Sequence, residues 1–171
     1  MDSEWDLWVS KIVSDKNGFT APINLAANPS FETGTTDFYQ PFYTSFTPTN
    51  TMAHTGQWSA RVNCSGTGGV RQKVTFPSGT RFLTASLWSF ANGVTLQESN
   101  DFSLYVDLWL SNGTWVWQNT ASFTPGTSAA WEQRVVTVTS EVDMDYALVH
   151  GLCRRRSGEA FFDDMVVTAS P

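Results

Sequence analysis

Cations are scarce in this chain, and so are histidines, cysteines and long apolar runs. Ten Lys and Arg stand against sixteen Asp and Glu, a net charge of −6. That balance argues against nucleic-acid partners, whose recognition needs a basic stripe to displace phosphate counterions. The one basic cluster, Arg154-Arg155-Arg156, runs into Ser157-Gly158-Glu159 and reads as an exposed hairpin tip. With two histidines, a serine triad would have to use His54 or His150, and the sequence has no G-x-S-x-G elbow. No apolar run approaches the ~20 residues of a membrane span. The opening MDSEWDLW is acidic and lacks a basic n-region, so no secretory signal is visible. Two cysteines, Cys64 and Cys153, permit at most one internal disulfide and match no zinc spacing. Both sit in or beside apparent strands, and two buried thiols is the reading preferred over a bridge, leaving the redox compartment undecided.

A glycosidase would need two carboxylates in one cleft, one of them with a raised pKa. Glu98, Asp101, Asp107, Glu141, Asp143 and Asp145 are available, but the last three share a polar, solvated-looking loop. No convergent catalytic set stands out, so the chain is expected not to be an enzyme and no catalytic residue is assigned.

What the chain has in plenty is aromatic rings, 14% of its residues with eight tryptophans, set among Gly, Ser, Thr and Asn turns. A length of 171 residues suits one domain that buries roughly 70% of its unfolded surface. From residue 24 onward, short strands alternate with turn signals: 54–64, 70–76, 81–90, 101–110, TWVWQ, 131–139, 146–153 and 161–168. DFSLYVDLWL alternates cleanly, with Phe102, Leu104, Val106, Leu108 and Leu110 on one face and Ser103, Tyr105, Asp107 and Trp109 on the other. Asn112-Gly113 is a two-residue hairpin signal. About eight strands without βαβ alternation imply an all-β, two-sheet sandwich.

Residues 1–22 differ. Trp5, Trp8, Val9, Ile12 and Val13 recur at helical spacing, Ser3 and Asp6 resemble a capping box, and Asn17-Gly18 would end the helix. A short N-terminal α-helical extension with a linker is therefore expected, followed by a β domain over 23–171. Its tryptophans dock either on the chain's own β domain or on another subunit, since so short a helix is marginal alone.

Four ordered segments then point to one family: NPSFETG, AHTGQWSARV, GTRFLTASLWSF, and the pair WEQRVVTV with FFDDMVV. Together, over about residues 24–169, they resemble carbohydrate-binding modules of the xylan- and glucan-binding type, which are galactose-binding-like β-jelly rolls. The resemblance implies a structural calcium ion held by Glu32 and Asp163, with Asp164 as a possible substitute and backbone carbonyls completing the shell. Calcium takes six to eight oxygens, so these carboxylates can share an ion only if the first and last strands are neighbours. The alternative is that they are solvated and metal-free. Trp88 and Trp131 match positions that pack in the family, and His54 matches a turn residue.

The resemblance also implies a sugar site on one sheet or at the loop edge, where rings stack on pyranose faces and polar groups take the hydroxyls. Tyr105, Asp107 and Trp109 have that chemistry on one strand. Trp115 and Trp117 lie across the Asn112-Gly113 turn, and Arg134 and His150 are candidates to donate hydrogen bonds from neighbouring strands. The expected function is non-catalytic polysaccharide binding in an extracellular or virion-surface setting, with a polysaccharide or cell-surface glycan as partner. The alternative is a structural or host-attachment element of a bacterial virus, because modules opening in this way also resemble parts of phage tail and surface proteins. There the N-terminal helix would meet other protein subunits.

Overall fold

The computed structural model describes residues 22–155 and 157–171. The expected N-terminal helix lies outside the described residues. Ten strands form: β1 (Gln40–Pro41), β2 (Phe46–Thr49), β3 (Ser59–Asn63), β4 (Thr67–Thr75), β5 (Phe82–Asn92), β6 (Phe102–Leu110), β7 (Trp115–Ser122), β8 (Glu132–Thr139), β9 (Met144–Arg154) and β10 (Glu159–Ser170). A 3-10 turn at Ser99–Asp101 leads into β6.

The strands make two five-stranded sheets, ordered β1-β4-β9-β6-β7 and β2-β3-β10-β5-β8, with every strand pair antiparallel. Period-two alternation decides which side chains enter the space between them. Phe102, Leu104, Val106 and Leu108 of β6, Leu83, Ala85 and Leu87 of β5 and Phe162 of β10 are all buried there. The alternation read from residues 101–110 is reproduced: Tyr105, Asp107 and Trp109 stay half-buried on the outer face. At Gly151 of β9 the opposite sheet packs against the backbone itself. A Cβ added there would lie 2.8 Å from the Phe162 ring.

Three sequence readings are corrected. The cysteines are not free thiols: Cys64, just after β3 of one sheet, is bridged to Cys153 in β9 of the other. The arginine cluster is not a hairpin tip, because β9 and β10 belong to different sheets and their link crosses between them. Arg154 Nε donates to the fully buried Asp101 carboxylate at 3.1 Å, and Arg155 pairs with Glu98 at 3.0 Å. Finally, β1 and β2 were not foreseen. They are two and four residues long and carry Pro41 and Pro48, which suits the edge positions they occupy.

The bridge closes a loop with a sequence separation of 89, which removes about 4–5 kcal/mol of unfolded-state freedom in the chain-entropy account. Reduction, or the pair Cys64→Ser with Cys153→Ser, is expected to lower the melting midpoint by about 10–20 °C. Thermal unfolding with and without reductant measures this; coincident curves would show that the bridge adds nothing.

Candidate functional site

Two places on the sandwich gather polar and aromatic side chains, and they lie on opposite sheets. The first joins the chain's two ends. Residues 24–30 run along β10: Leu25 N donates to Val167 O, Met165 N donates to Pro29 O, and Asn24 bonds both Met165 O and Val167 N. A bulge in β10 between Asp163 and Val166 puts Asp164 at φ +48 and turns two successive carboxylates toward the turn at residues 52–58.

There Asp163, fully buried, accepts the backbone N–H groups of His54 (2.7 Å) and Thr55 (3.2 Å) on Oδ2 and of Asp164 on Oδ1. Asp164 accepts from Ser30 and Thr55 hydroxyls on Oδ1 and faces His54 Nδ1 at 2.6 Å with Oδ2. Glu32 comes from the opposite end of the chain and accepts Gln57 N on both oxygens and Trp58 N on Oε1. His54 is thus more than a turn residue: its ring also stacks on Trp88 at 3.9 Å. Trp88, half-buried beside it, and Trp131, 5.6 Å from the same imidazole, pack as expected.

Burial pushes the Asp163 carboxyl up to about 7, with the Asp164 charge adding to it and the three N–H donors working against it. Such a group holds its proton more tightly folded than unfolded. Taken alone it favours the fold in acid and weakens it as pH rises toward 7. The His54 ring and the Ser30 and Thr55 hydroxyls draw Asp164 the other way, below the usual carboxylate range, despite desolvation.

Glu32, Asp163 and Asp164 are hard oxygen ligands of the kind calcium takes. Yet all six of their oxygens already accept protein donors. Among the described residues, no three His, Cys, Asp or Glu side chains group to hold a metal ion. In this arrangement the turn offers N–H groups where a cation needs carbonyls, so the residues do not fit an ion as they stand.

The second place is the outer face of the β1-β4-β9-β6-β7 sheet. Cross-strand register sets Trp109 opposite both Tyr146 and Trp115, and Tyr105 opposite His150, which is itself opposite Arg71. The Trp109 and Tyr146 rings stand face to face, 4.7 Å apart and 11° from parallel. Lys73 Nζ, from β4 on the far side of β9, sits 3.8 Å from the Tyr146 ring centre. Trp117 meets Trp109 nearly at right angles, 5.3 Å away, and Trp115 lies 5.6 Å beyond Trp117. The order across the sheet is therefore Lys73, Tyr146, Trp109, then the tryptophan pair of β7.

This order separates support from contact surface. Tyr146 is sandwiched, and one face of Trp109 is taken by Tyr146. Trp115 and Trp117 remain 53% and 50% exposed on the edge strand, where a bulge in the β6–β7 register and Gln118 at φ +61 set their angle. Asp107 lies between the aromatic row and the Tyr105 row. Burial raises its pKa, against the Gln118 N–H, which donates to it, and the nearby Tyr105 hydroxyl.

Neither of the two expected hydrogen-bond donors, His150 and Arg134, is presented to a ligand beside the aromatic row. His150 is on this face but 1% exposed, with its ring edge-on to Phe42 at 5.1 Å and to Tyr105 at 5.7 Å, and neither ring nitrogen has a partner. Burial, then the charges of Arg71 and Arg154, lower its pKa to about 3, so the ring is neutral. Arg134 is in β8 of the other sheet, where Nε donates to Ser122 O of β7 at 2.6 Å and the guanidinium pairs with Glu132. It clamps the two sheets at their shared edge and does not join the Tyr105–Trp109 face. Sequence reasoning missed Tyr146, Lys73, Arg71 and the Phe42–Tyr43 segment. The first three recur at alternate positions of β9 and β4 and were open to the same period-two reading as β6.

No protein-family model matches the chain, and no curated protein matches it. Solved structures do. The CBM22-1 xylan-binding domain from Paenibacillus barcinonensis is 16% identical at a TM-score of 0.61, over 87% of this chain and 96% of that one. A CBM61 module in complex with β-1,4-galactotriose is 16% identical at a TM-score of 0.54, over 86% and 99%. The enzymatically active domain of tailspike protein 4 from bacteriophage CBA120 is 10% identical at a TM-score of 0.64, over 86% of this chain and 22% of that one. The chain thus shares the β-sandwich of carbohydrate-binding modules.

Asp163→Ala leaves three part-buried N–H groups without their acceptor and is expected to cost about 1–3 kcal/mol, read as a shifted denaturant midpoint. The N–H-filled geometry predicts that a chelator leaves the wild-type melting midpoint unchanged. A fall of several degrees, restored by added calcium, would establish the ion.

Proposed function

We propose that the chain is a non-catalytic glycan-binding module whose ligand lies across the outer face of the β1-β4-β9-β6-β7 sheet. The observation that carries this reading is the half-exposed Trp115–Trp117 pair, held by the Trp109–Tyr146 stack on a face that also carries Asp107 and Tyr105. Pyranose rings offer C–H groups to the π-faces, and a ring held by its neighbours loses little freedom when a sugar covers it. Asp107 and the Tyr105 hydroxyl then take sugar hydroxyls. Trp109 and Tyr146 hold the platform. Two solved neighbours, a xylan-binding domain and a module with bound galactotriose, suit the same reading. The interior disulfide fits an oxidising, extracytoplasmic setting.

Glycan binding on this face does not depend on a calcium ion at Glu32, Asp163 and Asp164, whose oxygens are taken by protein donors on the other sheet. The tailspike match favours a second reading, in which the same sandwich serves a virion as an assembly or host-attachment element. Under that reading the N-terminal segment joins other subunits, and any glycan is one of a bacterial surface.

Affinity electrophoresis in gels cast with xylan, β-glucan, mannan, galactan and bacterial wall polysaccharide tests the proposal. Removing one indole forfeits about 1–3 kcal/mol of covered ring surface, roughly ten- to a hundredfold in affinity. Trp117→Ala and Trp115→Ala are each expected to lose retardation while keeping the wild-type melting midpoint. Retardation that survives both substitutions would move the site off this face. No retardation by any polymer would leave the assembly role.

A further inference from the structure

The outer face of this sheet carries positive charge that the rest of the molecule does not explain. Of the described arginines, Arg61, Arg81, Arg134, Arg154 and Arg155 each pair with a carboxylate. Among the described residues, Arg71 and Lys73 have no acidic partner, and both are on the outer face of β4. Their neighbours are aromatic: the Arg71 guanidinium carbon is 6.0 Å from the Phe42 ring centre, and Lys73 Nζ lies over Tyr146. Such contacts hold a cation in place without neutralising it. Arg71 Nε is buried with no acceptor, next to His150, whose two nitrogens are also unpartnered. Among the described residues one other buried side-chain polar atom lacks a partner, Asn100 Oδ1, so three of the four orphans fall on this one cross-strand row.

Asp107, on the same outer face, does not answer them. Asp107 stands opposite Leu148, and Leu148 opposite Lys73, so two strand spacings, about 10 Å, separate Asp107 from β4. Asp107 is also engaged by Tyr105 and the Gln118 N–H. His150 approaches it only at 3.8 Å, as a neutral ring. The face is thus divided: stacking rings on β7, a hydroxyl acceptor on β6 and unpaired cations on β4, which is three spacings or about 14 Å from β7.

We propose that the ligand is an anionic glycan, its rings on Trp115 and Trp117 and a negatively charged substituent against Arg71 and Lys73. The inference rests on the glycan reading above and adds the charge of the sugar. A guanidinium and an ammonium two residues apart on one face of a strand suit a carboxylate, as in a uronic acid, or a sulfate ester. The net charge of −6 sharpens the point, because a polyanion is repelled by the molecule as a whole and gains only where unpaired cations gather.

The test is affinity electrophoresis of the whole chain in matched gels: polygalacturonate and its methyl ester, glucuronoxylan and unsubstituted xylan, and a sulfated and a desulfated galactan. Wild type, Arg71→Gln and Lys73→Gln are compared, each with its melting midpoint. Lys73 is exposed, so Lys73→Gln carries the test if Arg71→Gln does not fold. The expected result is at least tenfold stronger retardation by one acidic member than by its neutral partner. Either substitution and rising salt should weaken it, and the acidic pair that responds tells carboxylate from sulfate. Equal retardation by acidic and neutral partners, or acidic retardation indifferent to both substitutions, overturns the anionic ligand and leaves glycan binding intact. No retardation by any polymer removes the glycan reading and this inference with it.

Discussion

The fold hangs on two adjacent carboxylates. Asp163 and Asp164 sit at a bulge in β10, a strand with neighbours on both sides in its sheet, and reach the 52–58 turn while residues 24–30 bond along the same strand. Glu32 grips that turn from the other end of the chain. A sandwich closed in this way has its first and last segments side by side, which places Phe31 and Phe162 in one core. The contacts along β10 and from Asp163 and Asp164 span more than a hundred residues, so they form only when the chain closes its longest loop, whereas the Glu32 contact spans about 25. The disulfide ties the two sheets through a different pair of strands. The chain ends and the sheet pair are thus secured independently.

The candidate site is built on the opposite sheet, and its precision comes from neighbours in register. Trp109 would sweep a wide arc alone, but Tyr146 and Trp117 confine it. At the other edge Gly69 admits the Phe42 segment: a Cβ there would lie 2.9 Å from Gly151 O and 3.3 Å from Phe42 Cβ. Tyr43 follows at φ +61 and 81% exposed. A bulky residue in the left-handed region costs about 1–3 kcal/mol, and here it displays a ring instead of burying it. Both rims of the face thus carry exposed aromatics in strained or bulged backbone.

Much of this was legible in the sequence because period-two patterning survives at the level of single strands. Residues 101–110 showed which side chains face outward, Asn112-Gly113 showed the hairpin, and the family resemblance of the FE and FDD segments implied that the first and last strands are neighbours. What stayed hidden depends on which strand lies beside which. Arg134 was grouped with Trp109 since β8 follows β7 in sequence, but β8 is hydrogen-bonded to β5 in the other sheet. His150 has the right register and is lost under Phe42, a residue of a segment too short and too proline-rich to read as strand. The disulfide stays hidden because strands alone do not say that Cys64 and Cys153 face each other across two sheets. The division of the rings into support and contact required their mutual angles, which no pattern encodes.

Sequence identities of 10–16% with sandwiches of the same shape are what this economy of constraints allows. The interior asks for apolar groups at alternate positions and for a few fixed devices: the Asp163 bulge, and Gly151 beneath Phe162. The outer faces are free of those demands, since a side chain pointing outward can change without disturbing the packing on the other side of its strand. Fold likeness therefore carries little about the ligand, which must be read from the outward residues of this chain. Those residues are not a generic polar coat. They are a graded row, running from unpaired cations through a carboxylate to half-exposed indoles, and it is this row that the proposed discrimination by charge and ring face rests on.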